Sequence, residues 1–143
     1  MTARQSVSAP RIPVSWGELV DRITILEIKS ERLRAAEAVA HVRAELALLL
    51  PVVTPILAGQ NGIGETKSRL LAVNRILWDA EERLREKEKS GDFGPEFIAL
   101  ARSVYRTNDE RMALKRKINS VLPCGLAEEK SYSAVGPGAS RGS

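Results

Sequence analysis

A chain of 143 residues, 43% apolar and 28% charged, is long enough to bury one core and has the composition of an ordinary globular domain. The single cysteine, Cys124, rules out an intrachain disulfide framework. With the single histidine, His41, it also rules out a Cys/His zinc cage, so neither a metal nor a cofactor is expected. Net charge is +4, but Arg4, Arg11 and Arg141 lie in the expected tails, which leaves 19 basic against 18 acidic residues in the body. So even a balance lacks the electrostatic footprint of nucleic-acid binding.

Residues 1–11 are polar and aperiodic and are expected to form a disordered arm. A single helical domain is expected over 12–132, and SAVGPGASRGS, residues 133–143, reads as a disordered tail. No window approaches the ~18 apolar residues of a membrane span, and no apolar signal core opens the chain. The expectation is a cytoplasmic protein that does not enter a membrane.

Ser15-Trp16-Gly17-Glu18 has the pattern of a capping box, and a first helix follows over 16–34. Leu19, Ile23, Leu26 and Leu33 form its main stripe, while Ile25 and Ile28 fall on the opposite side. A helix apolar on two sides is either central in the fold or half of an oligomer interface. Ile25, Ile28 and Trp16 are therefore the interface candidates, and a homo-oligomer or a partner protein is the expected companion.

The apolar phase shifts after Leu33, and Val39, Val42, Leu46, Leu49, Leu50 and Val53 define a second helix over 38–53. Pro51 and Pro55 are expected to end it, with Ala58 to Gly64 as a loop. Leu70, Val73, Leu77, Ala80 and Leu84 mark a third helix over 66–90, stopped by Gly91. Pro95 opens a fourth over 95–122, and Pro123 closes it. The fold class is all-α: a four-helix arrangement of two antiparallel helical hairpins between disordered termini.

Chemistry-bearing motifs are few. The Gly59–Gly64 loop precedes Lys67-Ser68, but Glu65 and Thr66 intervene where a phosphate-binding loop needs its lysine next to the last glycine. His41 lies away from the stripe of its helix and reads as solvent-facing. Most carboxylates on the third helix sit at i,i+4 from a charged neighbour, as on a solvated face.

The fourth helix holds the sharpest signal. Phe97, Leu100, Val104, Ile118 and Leu122 share one stripe at about 100° per residue, and Arg111 falls at its middle. Asn108, Lys115 and Asn119 lie on its shoulder. A guanidinium in line with apolar residues needs an acceptor, because an unpaired buried charge costs several kcal/mol or more. Glu81, on the shoulder of the third helix beside Asn74, is the first candidate, followed by Asp21 and Glu27. A break at Thr107-Asn108-Asp109, which would reset the phase, is the competing arrangement. Candidate ligand- or partner-binding residues are Arg111, Lys115, Asn108, Asn119, Glu81, Asn74 and Arg22; no catalytic residue is assigned.

Three blocks carry a resemblance: PVSWGELVDRITILEIKSERL from Pro13, LWDAEERLREKE in the third helix, and FIALARSVYRTNDERMALKRKIN followed by EEKSY, Glu128 to Tyr132. Together they resemble an uncharacterised bacterial family of short all-helical proteins, a domain of unknown function. The resemblance implies a free-standing module that includes Glu128–Tyr132, and it implies no reaction. The functional expectation is a non-enzymatic interaction or adaptor module, homodimeric, of unknown pathway. The alternative is a small helical enzyme or binder of an anionic metabolite that uses inward basic residues such as Arg22, Arg111 and Lys115. A weak nucleic-acid binder is the second alternative.

Overall fold

Four helices carry the fold across residues 6–126, the residues described by a computed structural model: α1 (Trp16–Arg32), α2 (Ala36–Ala58), α3 (Ile63–Ser90) and α4 (Pro95–Val121). No strand occurs among the described residues, so the class is all-α. The Ser15 side chain accepts the Glu18 N–H at 3.1 Å and starts α1. Gly91, at φ 68°, ends α3 in a left-handed turn whose N–H reaches the Glu88 and Lys87 carbonyls.

Two boundaries, the end of α2 and the start of α3, differ from the sequence expectation by more than the one or two residues by which helix ends fray. Pro51 and Pro55 do not end α2 but lie inside it, and the helix runs on to Ala58. Each proline removes one intrahelical donor, yet the residues beyond them have a core to join. Val53 is fully buried, and Ile56 and Leu57 pack against the same cluster. The uninterrupted α2 thereby becomes the one described helix long and apolar enough to cross a membrane by length and composition. The loop is correspondingly shorter than expected, and α3 begins at Ile63 because Asn61 Oδ1 accepts the Ile63 N–H at 3.1 Å.

α1 is central. It packs against each of the other three helices, whereas α2 and α4 do not meet. Its first stripe, Leu19, Ile23 and Leu26, enters a cluster with Val42, Leu46, Val53, Leu70, Leu114 and Ile118. Its opposite side is also covered within the single chain. Ile28 is only 1% exposed, and Ile25 and Trp16 are half-buried. The apolar face offered as an oligomer interface is therefore mostly interior. α4 runs unbroken through Thr107-Asn108-Asp109, so no phase reset occurs there.

Candidate functional site

The second face of α1 repeats at i, i+4, i+7 and i+11: Gly17, Asp21, Thr24 and Ile28, all buried. Gly17 permits the closest approach. A Cβ at that position would lie 2.5 Å from the Lys115 carbonyl oxygen of α4 and 2.9 Å from Asn119 Oδ1. Its N–H donates to that same Asn119 Oδ1 at 2.8 Å.

One turn further along, Asp21 is 2% exposed and organises the polar seam. Arg111 donates Nε to Asp21 Oδ1 at 2.9 Å and Nη2 to Oδ2 at 2.5 Å. Asn74 uses both amide hydrogens, one to Asp21 Oδ1 at 3.0 Å and one to Thr24 Oγ1 at 2.8 Å. Thr24 in turn donates to the Asp21 carbonyl at 2.7 Å. Lys115, buried along its stem, places Nζ 2.9 Å from Glu18 Oε2 and 4.0 Å from Asp21 Oδ2. A carboxylate removed from water needs this kind of bidentate, charge-assisted support. Glu81, the first expected partner of Arg111, is not its partner. It is exposed, whereas the central position of α1 brings Asp21 against α4.

Beside this seam, α1, α3 and α4 border a cleft of about 530 Å³. Ile25, Ile28, Leu77 and Trp78 give it apolar walls, and Asn74, Asn108, Arg111, Glu81, Glu82 and Arg85 supply its polar groups. The volume lies within the range of small-molecule ligand pockets. Trp78 Nε1 donates to Glu82 Oε1 at 3.0 Å, which holds the indole and that carboxylate together. Pairs of opposite charge tie α1 to α3 alongside: Arg75 with Glu31, and Arg32 with Asp79, whose carboxylate raises the Arg32 pKa through a hydrogen bond and its charge.

Four of the seven binding candidates, Arg111, Asn108, Glu81 and Asn74, line this cleft. Lys115 and Asn119 continue the seam toward the start of α1, and Arg22 lies apart, paired with Glu45 of α2. The cleft lining contains no hydroxyl, thiol or imidazole. Among its polar groups, Trp78 is bonded to Glu82 within the lining, whereas Asn74 and Arg111 are bonded to Asp21 of the seam.

Residues 11–141 match the model of a family of unknown function, DUF6165. The chain belongs to that family. No curated protein and no solved structure matches it. The DUF6165 match takes in Glu128–Tyr132, the segment that the sequence resemblance counts as part of the module; it lies outside the described residues.

The hub, Asp21, ranked behind Glu81 in the sequence reading, although the 17-21-24-28 spacing marks it. An aspartate in register with a glycine and two β-branched residues is the signal of a polar group on a buried face. Glu82 and Arg85 carried no signal beyond that of a charged helix face.

Proposed function

We infer that this DUF6165 chain is a non-enzymatic interaction module whose cleft docks a segment of a partner protein. The observation that supports this is the state of the cleft: open, apolar-walled, and set against the polar seam. Asp21, Arg111, Asn74 and Thr24 form a hydrogen-bonded network that stiffens one wall. Rigid walls favour docking because little side-chain order remains to be imposed on binding. An anionic metabolite finds less support, since the Arg111 guanidinium is held by Asp21 and two glutamates stand at the cleft.

Site-specific photocrosslinking tests the reading in the cells that make the protein. A photoreactive residue at Glu82, on the cleft, is compared with one at Glu110, in the smaller groove on α3 and α4 that does not adjoin α1. A discrete adduct from Glu82 alone is expected; adducts from Glu110 alone, or from neither, would refute docking at the cleft.

Self-association is the second reading, favoured by the outer face of α2. Leu48 is 76% exposed and Val52 50%, and no ionisable side chain occurs from Leu46 to Gly64. A two-fold-related copy would bring the same uncharged face and desolvate no charge on either side. The mass in solution by light scattering is expected to exceed 15.7 kDa and to fall to the monomer value in Leu48→Glu/Val52→Glu. A wild-type monomer at high concentration would end this reading.

A further inference from the structure

The chemistry of the docked segment follows from which hydrogen-bonding atoms of the cleft remain available, and this step rests on the docking reading above. Several of the donors are engaged. Both amide hydrogens of Asn74 go to Asp21 and Thr24, Arg111 gives Nε and Nη2 to Asp21, and the Trp78 indole N–H goes to Glu82. The acceptors left over are the Glu81 carboxylate, the second oxygen of Glu82 and the Asn74 side-chain carbonyl. Arg85 supplies a guanidinium and Asn108 an amide, so two carboxylates stand against one uncommitted cation. The walls next to these acceptors are an indole and three aliphatic side chains, Ile25, Ile28 and Leu77.

We propose that the cleft recognises a lysine- or arginine-bearing segment of a partner protein. The aliphatic stem of that basic residue lies along Leu77 and Trp78, and its cationic head sits on Glu81 and Glu82. Long basic side chains bury their methylenes while keeping the charge paired or wet, and an indole face attracts a cation. The cleft volume of about 530 Å³ admits more than one side chain, so an apolar neighbour of the basic residue fills the space against Ile25 and Ile28. A segment presenting carboxylates meets Glu81 and Glu82 instead, and the guanidinium nearest the core is already occupied by Asp21.

The chain carries two tryptophans, Trp16 and Trp78, so their indole N–H resonances report separately on the start of α1 and on the cleft. The full chain, labelled with ¹⁵N, is titrated at low salt with three peptides of equal length and leucine content. Their polar positions are lysine, glutamine or glutamate. The lysine peptide is expected to move the Trp78 resonance, leave Trp16 in place, and bind roughly tenfold more tightly than the glutamine peptide. Glu81→Gln/Glu82→Gln, at exposed positions that leave the fold intact, removes that preference, and Arg85→Gln strengthens it. The overall charge of +4 acts in the opposite sense, since nonspecific attraction favours the glutamate peptide. Equal binding of the lysine and glutamine peptides at Trp78 would overturn the cationic preference while docking stands, and tighter binding of the glutamate peptide would do the same. No movement of Trp78 with any of the three would defeat the docking reading itself.

Discussion

Arg111 closes on Asp21 in a two-point grip across the seam between α4 and α1, with Nε 2.9 Å from Oδ1 and Nη2 2.5 Å from Oδ2. The two ends of this pair live in different environments. The Asp21 side chain is 2% exposed and the Arg111 side chain 27%, so the carboxylate depends on the pair more than the guanidinium does. Asn74 and Thr24 extend the grip into α3 and along α1, and through them the polar network positions three helices at once.

Breaking the pair from the arginine side leaves a buried carboxylate. Arg111→Met is expected to cost about 3–5 kcal/mol, reduced to the extent that Lys115 Nζ, at 4.0 Å, takes over. Asp21→Leu combined with Arg111→Met recovers much of that loss, because two apolar groups replace two charges. Urea unfolding of both single variants and the double variant measures the coupling. Additive losses would show that the two residues act independently.

Gly17 is predicted to tolerate no side chain. A Cβ there meets the Lys115 backbone oxygen at 2.5 Å, which no rotamer change can relieve. Gly17→Ala therefore forces α1 away from α4 and strains the bond from the Gly17 N–H to Asn119, at a cost of about 2 kcal/mol or more. Asn119→Ala removes only the softer of the two contacts, so it is expected not to rescue Gly17→Ala in thermal unfolding. Rescue would identify the Asn119 side chain as the true obstacle.

The four helices were legible because their signals are local: a serine cap, a glycine stop, a first-turn proline and apolar periodicity. Pro51 and Pro55 misled because a proline's local cost says nothing about the burial on its far side, where Val53, Ile56 and Leu57 repay it. Arg111 was legible as a half-buried cation needing an acceptor, since that is a matter of phase on one helix. Its partner was not, because choosing between Glu81 and Asp21 depends on how α1 lies against α3 and α4. The cleft itself was illegible. Its residues come from three helices; Arg111, Asn74, Asn108 and Glu81 stood out as polar groups and Ile25 and Ile28 as a second apolar side, but nothing local joined the two sets.

α2 offers a stabilising substitution. Pro51 sits inside the helix and is exposed, so its missing N–H leaves one turn of the backbone ladder unmade without any packing gain on that face. Pro51→Ala is expected to raise stability by about 1–3 kcal/mol, the helix-interior penalty of proline less the entropy that proline withholds from the unfolded chain. A higher urea midpoint checks it. An unchanged or lowered midpoint would mean that the proline fixes a bend on which the packing of Val53 relies.

The turn between α3 and α4 should respond to pH at both ends of the scale. Lys87 Nζ lies 3.1 Å from Asp92 Oδ2 and 3.2 Å from Glu96 Oε2, and Asp92 Oδ1 accepts the Gly94 N–H at 3.2 Å. The hydrogen bond from Lys87, then that from Gly94, lowers the Asp92 pKa below its ordinary 3.8. Hydrogen bonds to Asp92 and Glu96 raise the Lys87 pKa above 10.5. For Asp92 the stabilisation is present above pH 3.8 and is lost as the pH falls through the lowered value. For Lys87 it is present below pH 10.5 and is lost as the pH rises through the raised value. Asp92 is exposed and Lys87 half-buried at the edge of the fold, so the effect is local and weakened by salt. Amide exchange or the chemical shift of the Gly94 N–H, followed from neutral pH into acid, is expected to show the turn loosening below pH 3.8. Asp92→Asn should abolish that step while leaving the alkaline one, which Glu96 still supports. An acid step that survives in Asp92→Asn would assign the change to another carboxylate and remove Asp92 from the turn's design.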